Sequence, residues 1–125
     1  MRLVTAALAV AALSASAVAA VAAPVHVDDA QFLAANRCLG LMSSHTLGTP
    51  EAAALRQFIK DQSWGRVSFV YDQADALRDA AVRQAGRSDP DLRARLTAER
   101  DGVCHTFLEL ETTTAASRGA PRSIQ

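Results

Sequence analysis

The residues best suited to chemistry in this chain are its two cysteines, Cys38 and Cys104. Redox-active pairs usually stand as Cys-x-x-Cys beside a βαβ unit, and neither that spacing nor that pattern occurs here. In a protein that leaves the cytoplasm, two widely separated cysteines are typical of a structural disulfide. We therefore predict a Cys38–Cys104 bond. Such a bond requires the helices that carry the two residues to be neighbours, with their Cα atoms within about 7 Å.

Methionine and histidine side chains offer a second chemistry, the binding of a soft metal ion such as copper. Met42 and His45, together with His26 or His105, supply suitable ligand atoms. Their spacing matches no established metal-binding pattern, and Met42 falls on an apolar helix face. Cys104-His105 lacks the first cysteine of the haem-attachment pattern Cys-x-x-Cys-His. We expect no metal and no cofactor, and Met42 and His45 are the first candidates if a metal ion does bind.

Glu99 interrupts the apolar face of the last predicted helix, and a buried acid can have a shifted pKa and a catalytic role. The simpler interpretation is a helix-neighbour ion pair, because Arg95 lies four residues before Glu99. The chain has no Ser/His/Asp order, no Gly-rich phosphate loop and no Glu-x-x-His pair. We therefore predict a non-enzymatic protein with no catalytic residues.

Trp64 and Phe69 are the apolar residues that fit least well into the helical pattern. Phe69 lies almost opposite the apolar stripe of its predicted helix. Contact with other helices on both faces of that helix would explain its position, and we favour this interpretation. The alternative is an exposed patch, formed by Trp64 and Phe69, that binds another protein.

The elements that position these residues are predicted to be helices. Apolar residues recur at spacings of three and four, and no stretch alternates as a strand would. The pattern predicts an all-α domain, a small bundle of about four helices joined by one disulfide. The predicted helices span residues 30–43, 50–62, 66–85 and 90 to 112–114, the last ending because three threonines in a row are poor helix formers.

Several local signals set these boundaries. Asp28 is a suitable cap for the first helix, and Asp89 followed by proline fits the start of the last. Thr49, followed by proline and an acid, suggests the start of the second. Residues 63–65 are compatible with a kink in one long helix, but we favour a break, since the apolar stripe changes phase there. Gly40 inside the first helix suggests a close helix contact.

The helix at residues 66–85 has the clearest pattern, and we predict it to be the central element of the fold. Its apolar stripe consists of Val67, Val70, Ala74, Leu77, Ala81 and Ala85. We expect this stripe to be buried, with Leu77 near its middle. The opposite face carries aspartates and arginines, which predicts a solvent-exposed surface.

The N-terminus has the features of a signal peptide, because one arginine precedes an apolar stretch that ends in small residues. We predict cleavage after Ala22, with Ala19 as the alternative. This divides the chain into a signal peptide (1–22), a helical domain (23–114) and a disordered tail (115–125). Cleavage removes Arg2, so 12 of the 13 basic side chains remain against 13 acidic ones.

A formal charge near zero argues against nucleic acid as a partner, and cleavage leaves no membrane anchor. The sequence thus predicts a small exported protein, periplasmic or secreted, that binds another protein or unfolded chains. The alternative is a protein that binds a small ligand or a metal ion.

Overall fold

The computed structural model describes residues 26–119, and within that range all regular structure is helical. The helices are α1 (Asp29–Met42), α2 (Ala52–Gln62), α3 (Ser68–Ala85), α4 (Pro90–Asp101) and α5 (Val103–Gly119). The predicted all-α bundle is confirmed, although the predicted last helix is divided at Gly102 into α4 and α5. The predicted signal peptide lies outside the described residues.

The sequence analysis identified start signals for three helices, and the structure confirms two of them. The Asp28 carboxylate accepts a hydrogen bond from the backbone of Gln31, whose side chain in turn accepts from the Asp28 backbone. The Asp89 carboxylate caps α4 by accepting hydrogen bonds from the backbone N–H groups of Asp91 and Leu92. The predicted start of α2 is wrong, because α2 begins at Ala52 and the buried hydroxyl of Thr49 has no hydrogen-bond partner in the described part of the chain.

The predicted break after α2 is confirmed. Helix α2 ends at Gln62 and α3 begins at Ser68. Between them Gly65 has a φ of 77°, in the left-handed region that favours glycine. The chain therefore makes a tight turn here rather than a kink in one helix.

The predicted end of the last helix is wrong, since α5 continues through residues 112–114 to Gly119. Each of these three threonine hydroxyls donates to the carbonyl four residues earlier, so their polar groups are satisfied within the helix. Arg118, in the last turn, also forms ion pairs with two acids. The first five residues of the predicted disordered tail are therefore helical, and residues 120–125 lie outside the described range.

Helix α1, not α3, is the central element. Among the helices of residues 26–119, it contacts each of the other four, whereas α3 contacts only α1 and α4. More than half of the residues of α1 are buried, including the polar Asn36. The Asn36 amide donates to the carbonyl of Phe32 and accepts a hydrogen bond from Arg78 of α3, at 2.9 and 2.6 Å. A buried polar group is thus satisfied by two neighbouring elements.

The closest helix contact is between α1 and α3 and is made by small residues. A Cβ atom on Gly40 would overlap the carbonyl oxygen of Arg78 and would lie 2.8 Å from the Cβ of Ala81. The predicted close contact at Gly40 is therefore confirmed. Ala74, Ala81 and other small side chains fill the contact line on α3.

This close approach corrects the predicted stripe on α3. Val70, Ala74, Ala81 and Ala85 are buried, but Leu77 is only half-buried and Val67 is 66 % exposed. Leu77 lies at the flank, since the space between the helices admits only small side chains. Val67 precedes the first helical turn and does not face α1.

The predicted disulfide is confirmed. Cys38 of α1 and Cys104 of α5 are both buried, and their Cα atoms are 5.4 Å apart. The bond therefore joins the central helix to the last helix inside the core. Of the helices within residues 26–119, none has both the length and the apolar character needed to cross a membrane.

Candidate functional site

Exposed apolar side chains are concentrated in the turn before α3. Four of the six large hydrophobic residues that are exposed in the described part of the chain lie within residues 64–71. We call three of them, Trp64, Val67 and Phe69, the turn surface. They are 68 %, 66 % and 63 % exposed, respectively. Single exposed apolar residues are ordinary, whereas a group of large ones is typical of an interaction surface.

The exposure of Phe69 decides between the two interpretations of that residue. The favoured one, burial between helices on both faces of α3, is wrong. Helix α3 contacts only α1 and α4 among the described elements, and neither covers Phe69. The alternative interpretation, in which Trp64 and Phe69 belong to an exposed patch, agrees with their positions.

The turn surface is held in place by Arg66, whose side chain is only 3 % exposed. Its guanidinium donates to the carbonyls of Gln62 and Val27, at 2.8 and 2.6 Å, and forms an ion pair with Asp29. The same group lies 4.3 Å from the centre of the Phe32 ring, in a cation–π contact. One buried side chain thus ties the turn to the start of α1.

Further contacts connect the same segments. The backbone N–H of Val27 donates to the side chain of Gln62 at 2.9 Å, and the Tyr71 hydroxyl donates to the carbonyl of Ser63. The imidazole of His26 lies 4.9 Å from the Trp64 ring. With Arg66 directed inward and its neighbours directed outward, the turn presents its apolar side chains on a fixed backbone.

We expect replacement of Arg66 by methionine to lower the free energy of unfolding by about 2 kcal/mol. Methionine keeps most of the apolar length but leaves the buried carbonyls of Val27 and Gln62 without their donor. Urea melts of the two proteins provide the measurement. Arg83→Met, on the exposed face of α3, is the control and should cost less than about 0.5 kcal/mol. Equal losses for the two variants would show that Arg66 does not hold the turn.

A cavity of about 460 Å³ adjoins the turn surface. It lies between the end of α2, the end of α5 and the paired rings of His26 and Trp64. Its lining residues are His26, Lys60, Asp61, Gln62, Trp64, Thr114 and Arg118. Thr114 lies at the very end of the last helix as predicted from the sequence, and Arg118 lies beyond that predicted end.

The charged groups around this cavity are mostly paired. Arg118 forms ion pairs with Asp61 of α2 and with Glu111 of its own helix, the latter at 2.7 Å. The second oxygen of the Asp61 carboxylate accepts a hydrogen bond from Gln57 at 2.9 Å. The ammonium of Lys60 has no such partner among residues 26–119.

Glu111 is a buried acid, and one of its carboxylate oxygens has no hydrogen-bond partner among the described residues. Burial raises the pKa of this carboxyl above its usual value. The folded state therefore binds its proton more tightly than the unfolded state does. The contribution of Glu111 to stability is then fully present below the unfolded pKa, and it is lost as the pH rises through the folded pKa.

We expect this linkage to be visible when the wild type is compared with Glu111→Gln. The glutamine variant does not titrate at this position, so the wild type should lose stability relative to it as the pH rises from 4 to 7. Urea melts at several pH values give the difference in the free energy of unfolding. A difference that stays constant, or grows in favour of the wild type, would contradict the assignment.

Of the remaining candidates, Met42 and His105 line one small cavity of about 90 Å³, whereas His45 does not. Met42 is buried, His45 is exposed in the loop after α1, and His105 is exposed with a nitrogen 3.8 Å from Glu109. Within residues 26–119, no three His, Cys, Asp or Glu side chains are grouped so that they could hold a metal ion.

Glu99 does not pair with Arg95 as predicted. It forms a two-point contact with Arg37 of α1, at 2.6 and 3.0 Å, and raises the pKa of that guanidinium further. The Arg37 side chain also donates to Gln84 of α3 at 3.0 Å. Arg37 thus links α1 to α3 and α4, and its ion pair with Glu99 explains an acid on a partly buried helix face.

Sequence reasoning identified Trp64 and Phe69 but missed Arg66 and the cavity. The available signal for the turn was the break at residues 63–65, which placed Arg66 directly after a glycine. Its partner Val27 lies 39 positions away, and no local pattern connects the two. The chain matches no protein-family model, no curated protein and no solved structure.

Proposed function

We propose that this protein is a small exported, non-enzymatic protein that binds another protein through the turn surface. One observation carries the proposal: Trp64, Val67 and Phe69 are largely exposed on a turn that the buried Arg66 side chain fixes. Large aromatic side chains supply much of the energy at protein interfaces. A surface whose backbone is already fixed loses less conformational entropy on binding.

Export is supported by two independent features. Residues 1–22 have the charge and apolar pattern of a signal peptide. The Cys38–Cys104 disulfide is of the kind that persists in oxidising compartments. The periplasm and the extracellular medium both satisfy these conditions.

Two kinds of protein partner suit the turn surface. A folded partner would offer one complementary pocket and form a complex of defined size. Unfolded chains would offer many short apolar segments and form complexes of many sizes. The near-neutral charge of the domain gives no electrostatic preference for either.

Site-specific photocrosslinking in the intact exporting cell tests this function. A photoreactive phenylalanine analogue replaces Phe69, and in a parallel strain it replaces Val103, which is 60 % exposed but lies outside the turn surface. We expect crosslinked products from position 69 and few from position 103. One discrete product would indicate a folded partner, and a broad distribution would indicate unfolded chains.

A Trp64→Ser substitution combined with the crosslinker at position 69 provides the second arm. If the turn surface is the binding site, this change should reduce the crosslinked product strongly, because it removes the neighbouring aromatic anchor. Equal yields from positions 69 and 103, or no product from position 69, would refute the proposed function.

A further inference from the structure

The cavity beside Trp64 has the dimensions of a small-molecule site. Its volume of about 460 Å³ lies within the range of roughly 300–1,000 Å³ that is typical of ligand pockets. The Trp64 and His26 rings form one wall, 4.9 Å apart and tilted by 39°. The opposite wall is formed by the end of α5. An apolar or planar body can therefore pack against the aromatic wall.

The polar groups of the lining determine which charge a ligand should carry. The Asp61 carboxylate is already occupied by Arg118 and Gln57, and the Arg118 guanidinium by Asp61 and Glu111. The Thr114 hydroxyl donates to the carbonyl of Leu110 at 2.9 Å. The paired groups therefore offer little to a ligand.

Two of the other lining residues, Lys60 and Trp64, offer hydrogen-bond donors. Lys60 has a positive charge and no ion-pair partner within residues 26–119, and the indole of Trp64 has one N–H. A positive charge and a donor beside an aromatic wall are complementary to a negatively charged group on an apolar body.

We propose that this cavity binds a small monocarboxylate with an apolar body, the carboxylate at Lys60 and the body against Trp64. A cationic amphiphile is the opposite alternative. The end of α2 and Asp61 would attract it, but Lys60 lies at that helix end, and the lining carries two positive side chains, Lys60 and Arg118, against the one acid Asp61. The charge balance of the lining thus favours the acid.

Trp64 makes the test direct, because it is the only tryptophan of the chain. The oxidised mature protein is titrated with decanoate, and Trp64 fluorescence is recorded. A parallel titration uses decylamine, which has the same chain length and the opposite charge. We expect a saturable change with decanoate and weaker binding of decylamine.

Two variants distinguish the cavity from general surface binding. Lys60→Gln should weaken decanoate binding about tenfold, the loss expected for one charge-assisted contact. Arg56→Gln removes an exposed positive charge from α2 outside the lining and should leave the affinity within about twofold of the wild type, since it loses no direct contact. Both residues are exposed, so neither change threatens the fold.

Any of three results would overturn the proposal: no saturable change of Trp64 fluorescence with decanoate, equal binding of decylamine, or an effect of Lys60→Gln no larger than that of Arg56→Gln. Failure here is distinguishable from failure of the proposed function, because Phe69 does not line the cavity. Phe69→Ser should leave decanoate binding unchanged, whereas Lys60→Gln should leave crosslinking from position 69 unchanged.

Discussion

Replacement of both Cys38 and Cys104 by alanine is expected to lower the free energy of unfolding by about 4 kcal/mol. The two residues are 66 positions apart, so the bond closes most of the described chain into one loop. In the chain-entropy treatment the bond destabilises the unfolded state by restricting it, and the effect grows with loop length. Because small domains have a total stability of only about 5–15 kcal/mol, this loss is a large share of the whole.

Urea melts followed by circular dichroism measure the effect, and the reduced wild type provides the matched comparison. Both cysteines are buried, so reduction breaks the bond but leaves both sulfur atoms in the core. If the constraint on the unfolded chain dominates, the reduced protein and the double-alanine variant should lose similar amounts of stability. A double variant that is as stable as the oxidised wild type would show that the bond contributes little to the fold.

The sequence predicts those features of the fold whose interacting residues lie close together in the chain. It predicts few of those that depend on contacts between distant residues. Signals within a few residues were sufficient for the caps at Asp28 and Asp89 and for the break at Gly65. The disulfide was also predictable, since the chain has only two cysteines. The caps and the break follow from local chemistry, and the disulfide follows from the cysteine count.

The central element was not predictable from periodicity, and the reason is physical. Helix α3 has a clear apolar stripe because one face is buried and the other is exposed. Helix α1 contacts other helices on several sides, so apolar residues are distributed around it and no single stripe emerges. In this chain the clearer apolar stripe therefore belongs to α3, which has one exposed face, and the more buried α1 has a weaker one.

The end of α5 and the candidate site were also not predictable from local sequence patterns. Threonine has a low helix propensity, but tertiary contacts override it here, since Arg118 connects the last turn to Asp61 of α2. The sequence indicated Trp64 as an unusual residue. The buried Arg66 that fixes it, and the Lys60 charge that lies beside it, become apparent only when distant segments are brought together.

Replacement of Gly40 by alanine is expected to destabilise the protein by about 3 kcal/mol, the upper part of the range for overpacked cores. In an isolated helix the same change would stabilise by about 1 kcal/mol, because alanine is the better helix former. The sign of the effect is therefore informative. A loss can come only from the tertiary contact between α1 and α3.

This loss is expected because Gly40 lies against the backbone of α3, which cannot rotate away as a side chain can. The added methyl group would overlap the carbonyl oxygen of Arg78 and approach the Cβ of Ala81 to 2.8 Å. Rotation of a side chain cannot relieve an overlap with backbone, so α1 and α3 would have to separate. Separation would weaken the packing of Ala74 and stretch the hydrogen bond from Arg78 to Asn36, now 2.6 Å.

Gly86→Ala is the matched control, because Gly86 has a φ of −76° and a Cβ there would make only ordinary contacts, the nearest at 3.6 Å. This substitution should change the free energy of unfolding by less than about 0.5 kcal/mol. Urea melts of both variants, with Cys38 and Cys104 oxidised in each, provide the comparison. If Gly40→Ala proved neutral or stabilising, α1 and α3 would not approach as closely as described. The fold would then have to be organised around a contact other than the one at Gly40.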